Sequence, residues 1–328
     1  MAFLAVSAAP APARQNREAS ASRQVRVVKL HYRAHDGVSR RAYLILPAWY
    51  RPGNDPPIPL IISPHGRGVS ARTNALLWES LPAEGSFAVV SPDGAGRRLA
   101  AYSWGSAGQI EDLARMPTIV RRTLPWVHVD PLRIYAFGGS MGGQETLLLL
   151  ARHPRLLAGA AAFDAVTDMK LRYRSFLRVP CNRRCRRTWN GSIGRGLQAM
   201  ARKEVGGTPV TRPLAYSERS PTTYFRAIAT SCVQLQLWWS VKDQIVGDQQ
   251  HQSGALFQLI GRLSPGAPVT AYVGDWRHSA EMHANTRLPA ALTAFGLLPE
   301  QPMPQLPGLH VLAPTEAASC WQAETGAG

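Results

Sequence analysis

The chain has 328 residues, of which 45% are hydrophobic, so it can bury a substantial core, and that excludes a disordered or fibrous protein. The net charge of +16 invites a polyanionic partner, yet Lys stands only at positions 29, 170, 203 and 242. The rest of the positive charge is Arg, the skew a GC-rich coding sequence produces. No nucleic-acid-binding signature accompanies it, so no specific nucleic-acid partner is expected.

Residues 1–23 read as a leader, with a short apolar stretch and the Ala-x-Ala-like sequence Ala11-Pro12-Ala13, and export is the expectation. No run of about 18 apolar residues follows, so no membrane-spanning helix is expected. Gln24 to His31 and Ser39 to Leu46 alternate as strands around the turn formers Ala34-His35-Asp36-Gly37, which predicts an antiparallel hairpin. Leu60 to Ser63, Phe87 to Ser91, Arg133 to Phe137, Leu157 to Phe163, Val233 to Trp239 and Val269 to Val273 are short apolar runs of the kind that buried parallel strands need. Helices are predicted between them, near Thr73 to Glu84, Gly108 to Leu124, Met141 to His153, Gln249 to Leu263 and Ala280 to Phe295.

Alternation of strand and helix makes the fold class α/β, with a mostly parallel, doubly wound sheet in one domain spanning residues 24–300. Residues 166–231 interrupt the rhythm with an Arg-, Gly- and Pro-rich stretch too long for an ordinary connection, predicting an inserted cap-like segment over the sheet edge. Residues 301–328 are left as a C-terminal tail. Four cysteines suit an oxidising compartment; of the three possible connectivities, Cys181 to Cys185 with Cys232 to Cys320 is preferred. A metal site is not expected, because the Cys181-x3-Cys185 segment is packed with Arg.

Gly138-Gly139-Ser140-Met141-Gly142 stands between a predicted strand and a predicted helix. A Ser there projects its hydroxyl from a tight turn, while the flanking glycines let strand and helix approach. A serine hydroxyl is a poor nucleophile until an imidazole takes its proton and a carboxylate fixes that imidazole's tautomer. His278 and Asp243 fill those roles from loops after later strands, with His283, His251, Asp248 and Asp275 as rivals. The N–H groups of Met141 and Arg67 are the expected oxyanion hole. His65 and Gly66 in the same loop, with Trp104 and Trp276, are the expected substrate-binding residues, and Tyr102 lies nearby; the alternatives are that His65 holds its loop by a hydrogen bond and that the aromatics are ordinary packing.

From Pro59 to Phe295 the sequence resembles two related groups of the α/β-hydrolase superfamily. They are the prolyl oligopeptidase catalytic domain and the extracellular esterases of the feruloyl-esterase and polyhydroxybutyrate-depolymerase kind. The stretch Val129-Asp-Pro-Leu-Arg-Ile-Tyr-Ala-Phe-Gly-Gly-Ser-Met-Gly-Gly143 carries most of the likeness. The resemblance implies an α/β-hydrolase fold and a serine hydrolase without cofactor, acting on small-molecule or polymeric carboxylic esters. The alternative is a peptidase or acyl-peptide hydrolase, suggested by Ser217-Glu-Arg-Ser-Pro-Thr-Thr-Tyr224, though only a hairpin and leader precede the first core strand, where oligopeptidases carry a β-propeller. A non-catalytic polyanion-binding module is the third reading. Nothing in the sequence sets an oligomeric state.

Overall fold

A computed structural model of the chain describes residues 24–94, 104–181, 183–188, 193–279, 282–300 and 309–314. Residues 1–23, Tyr102, Cys320, the Cys185 side chain and most of residues 301–328 lie outside the described residues.

The expected hairpin is present as β1 (Val25–Arg33) and β2 (Ser39–Pro47), antiparallel with Val25 opposite Pro47 and Arg33 opposite Ser39. Gly37 turns the chain at φ +78°, a conformation that costs glycine little. Next come β3 (Ile58–Ile62), α1 (Ala71–Leu76), α2 (Leu81–Gly85) and β4 (Ala88–Pro92). They lead to α3 (Ala107–Ala114), α4 (Met116–Thr123), β5 (Val129–Gly139), α5 (Met141–Arg152) and β6 (Gly159–Phe163). A run of helices follows: α6 (Met169–Ser175), α7 (Arg183–Thr188), α8 (Ile193–Val205), α9 (Pro213–Ser217) and α10 (Phe225–Ala229). The sheet resumes with β7 (Gln234–Ser240), α11 (Ala255–Leu263), β8 (Val269–Gly274), α12 (Leu288–Thr293) and β9 (His310–Leu312).

The nine strands form one sheet in the order β1-β2-β4-β3-β5-β6-β7-β8-β9. The pairs from β4 through β8 are parallel, whereas β1–β2, β2–β4 and β8–β9 are antiparallel. Side chains alternate across β5, so Ile134 and Ala136 pack on one face with α3, α4, α5 and α11, and Tyr135 and Phe137 pack on the other with α1, α2 and α12. Ten consecutive residues of α5, Met141 to Leu150, are buried. Such a helix lies between sheet and other helices, where each buried Leu contributes about 1.5–3 kcal/mol.

Proline explains several departures from the predicted helices. The expected helix Gly108 to Leu124 breaks at Arg115, because Pro117 fits only the first turn of a new helix. Thr73 to Glu84 divides likewise into α1 and α2, with Pro82 in the first turn of α2. Ala280 to Phe295 shortens to α12, which begins just before Pro289. β9 was not anticipated, since three residues carry too little alternation to signal a strand, and only pairing with β8 defines it.

Candidate active site

Ser140 occupies the turn from β5 to α5 at φ 59° and ψ −121°. An L-residue there stores about 1–3 kcal/mol of strain. The glycines beside it are required by close approach: a Cβ on Gly138 would come 2.3 Å from the Gly142 carbonyl oxygen, and one on Gly142 would come 2.3 Å from that of Pro64. The Ser140 N–H donates to the Phe163 carbonyl at 2.8 Å, tying the turn to β6. Met141 is the first residue of α5, so its N–H is among those a helix start leaves without an intrahelical acceptor.

Asp243, after β7, is 7% exposed, and its Oδ2 lies 2.7 Å from His278 Nδ1. The carboxylate also accepts from the Ile245 and Val246 N–H groups at 2.8 and 3.0 Å and from Gln249 Nε2 at 3.3 Å. It is thus fixed from three further directions, and it fixes the ring. His278 and Ser140 line the same cavity of about 450 Å³. The rivals sort themselves by position. Asp248 pairs with His251 at 2.6 Å and Asp275 with Lys242 at 2.7 Å, both at the surface, whereas His283 lines the cavity.

Gly66, Arg67 and Trp104 line the cavity as well. The Arg67 side chain reaches Glu204 Oε2 of α8 at 3.1 Å and lies 4.5 Å over the Trp104 ring, so the loop after β3 is clamped to the helical insertion. Val166, Val179, Ile193 and Leu197 of the insertion give the cavity apolar lining, backed by their own cluster with Phe176 and Tyr216.

Two expected substrate-binding residues require correction. His65 is 2% exposed and does not line the cavity; its Nδ1 faces the Gly66 carbonyl at 2.9 Å and its Nε2 accepts from the Gly94 N–H at 3.0 Å, so it braces two loops. Trp276 is 7% exposed and packs into the core beneath α12, with its Nε1 donating to Asp164 Oδ2 at 3.2 Å.

Asp164 itself escaped the sequence reading. It follows β6 at φ 43°, is fully buried, and accepts from the Ser240 and Ser279 N–H groups at 2.7 and 2.8 Å. Burial, and then the nearby charge of Asp243, push its pKa up to about 6. Its signal was available: Phe163-Asp164 ends an apolar strand much as the Asp243 loop does. Oxygens of both carboxylates and a His278 nitrogen lie within 4.8 Å of one another, a spacing open to a cation, but N–H donors already occupy the carboxylate oxygens.

A parallel sheet wound on both faces, with a serine raised on the central strand-to-helix turn and an Asp–His pair on later loops, is the α/β-hydrolase fold. Solved structures carry the same fold. S-formylglutathione hydrolase from Staphylococcus aureus matches with a TM-score of 0.58 at 16% identity, over 83% of this chain and 99% of that one. The acylaminoacyl peptidase of Pyrococcus horikoshii matches with a TM-score of 0.59 at 15% identity, over 85% of this chain but only 43% of the peptidase. Fluorophosphonate-binding serine hydrolase F of Staphylococcus aureus matches with a TM-score of 0.57 at 16% identity, over 83% of this chain and 98% of that one. No protein-family model and no curated protein matches the sequence.

Proposed function

We propose that the protein is a serine hydrolase that cleaves carboxylic esters through an acyl-enzyme. One observation carries this reading: Ser140, strained at φ 59° on its turn, shares a cavity with His278, whose Nδ1 is held 2.7 Å from buried Asp243. Ser140 Oγ attacks the acyl carbon while His278 Nε2 takes its proton, and the Met141 and Arg67 N–H groups stabilise the oxyanion. The alcohol leaves with that proton, and a water repeats the sequence to release the acid. Asp243 keeps the imidazole in the tautomer that leaves Nε2 open. The largely apolar cavity wall favours an apolar acyl or alcohol group. The insertion, packed over Ser140, serves as a cap. A Cys181–Cys185 clip would tie residue 181 to the Arg-rich helix α7, where Arg186 Nε donates to the Cys181 carbonyl at 3.0 Å, and such a clip accords with export.

Both esterases and peptidases are among the similar structures, so the test must separate them. Wild type and Ser140→Ala are to be compared on p-nitrophenyl esters and aminoacyl p-nitroanilides. Ester turnover lost in the variant supports the reading, and anilide turnover at comparable rate makes the protein a peptidase. A folded wild type that cleaves neither, and takes up no fluorophosphonate at Ser140, removes the proposal.

A further inference from the structure

The cavity beside Ser140 contains two arginines whose charges are handled differently. That of Arg67 is answered by the Glu204 carboxylate at 3.1 Å. Arg172, on α6, is 3% exposed and also lines the cavity, yet among the described residues no carboxylate lies within ion-pair distance of it. Its Nη1 donates to Ser175 Oγ at 3.3 Å and to the Ile245 carbonyl, and its ring neighbour is Phe176 at 4.3 Å. Nε is buried and has no partner, and no described residue accepts from Nη2. The nearest source of negative charge, Asp243, already receives four N–H contacts, from His278, Ile245, Val246 and Gln249.

A guanidinium removed from water costs free energy unless an anion and hydrogen-bond acceptors replace the solvent. Of the idle donors, Nε is sealed from solvent, which leaves Nη2 as the one able to donate to a carboxylate oxygen while the guanidinium charge faces that anion. Burial also pushes the Arg172 pKa down to about 9, a shift that an arriving anion would reverse. Val166, Val179, Ile193 and Leu197 add apolar wall, and Thr73, Asn74 and His283 also line the cavity.

Resting on the serine-hydrolase reading, we propose that the substrate is an ester whose apolar segment ends in a carboxylate, and that Arg172 is the residue that receives this group. The anion supplies the counter-charge that the fold omits, while the apolar segment spans the cavity between Arg172 and Ser140. The insertion thereby selects the substrate as well as covering it.

The test uses p-nitrophenyl half-esters of adipic, suberic and sebacic acids beside their counterparts ending in a neutral primary amide. In the wild type at least one half-esters-to-amide ratio of kcat/KM is expected to reach about tenfold to hundredfold, the range of a charge-assisted pair. In Arg172→Met that ratio falls to about one, and Arg172→Lys restores part of it. Suberate added to the assay inhibits wild type more strongly than it inhibits Arg172→Met. Equal rates for half-ester and amide in the wild type overturn the proposal without needing any variant to fold, as does an Arg172→Met loss shared equally by the two. In both cases amide-ended ester hydrolysis that disappears in Ser140→Ala leaves the hydrolase reading standing. Hydrolysis of no ester by folded wild type removes that reading instead.

Discussion

Asp164 and Asp243 close two neighbouring strands, β6 and β7, yet the fold uses their carboxylates differently. Asp243 faces His278, whereas Asp164 takes two backbone N–H groups and an indole and so positions the loop that carries His278. Asp243→Asn should therefore lower kcat on a p-nitrophenyl ester by about 10⁴-fold with the fold intact, because the wrong tautomer then faces Ser140. A loss under tenfold would move the orienting role to Asp164. For Asp164 the folded pKa of about 6 lies above the unfolded carboxylate value, so the folded state holds a proton that the unfolded chain releases. Its contribution to stability is greatest in acid and is lost as pH rises from about 4 through about 6. Melting curves across that window should show the advantage of wild type over Asp164→Asn shrinking as pH rises; an advantage that grows would reverse the assignment.

At the scale of elements, the turn between β5 and α5 holds only because the chain comes unusually close to itself there. Gly142→Ala forces a Cβ against the Pro64 backbone and should cost a few kcal/mol, seen as a lowered Tm or a failure to accumulate folded protein. A melting temperature unchanged by that substitution would mean the loop after β3 can move away. That loop is fixed at its other side by the buried Arg67–Glu204 pair. Removing the carboxylate in Glu204→Ala should destabilise by about 3 kcal/mol or more, and it should impair turnover beyond the loss of stability, because Arg67 belongs to the proposed oxyanion loop. α1, which contributes Thr73 and Asn74 to the cavity, begins at Ser70, whose Oγ accepts from the Thr73 N–H at 3.1 Å. Ser70→Ala should cost about 1 kcal/mol.

For the whole molecule, the excess of positive charge is a property of the surface rather than of the fold. Arg183, Arg186 and Arg187 of α7 are exposed. Replacing all three with Gln should change stability by about 0.5 kcal/mol or less per site while lowering the salt concentration at which the protein leaves a polyanionic resin. Unchanged elution would place the dominant positive surface elsewhere. The described part of the chain contains no helix long and apolar enough to cross a membrane. The sheet separates two apolar layers, and most of the insertion's buried apolar residues form a third cluster, joined by Trp104, Met141 and Val246. The insertion thus lines part of the cavity while the strands that carry Ser140, Asp243 and His278 pack in the other two clusters.

Sequence alone determined what periodicity and local sterics control. The hairpin, the six buried runs and the glycine-flanked Ser140 were legible because alternation, apolar runs of strand length and glycine at a tight turn act over a few residues. Ser140, Asp243 and His278 could be picked out because each sits in a loop after such a run. Helix ends were less legible where proline placed the breaks, and β9 was invisible because its only support is the neighbouring strand. Tertiary structure decided everything that depends on which distant groups meet. It turned Trp276 into the core and supplied the Gly94 N–H that His65, already read as holding its loop by a hydrogen bond, accepts from. It brought Asp164 against Asp243, and it placed Arg172 in the cavity without a carboxylate of its own. Burial and charge balance are sums over neighbours remote in sequence, and those neighbours are chosen only when the chain packs.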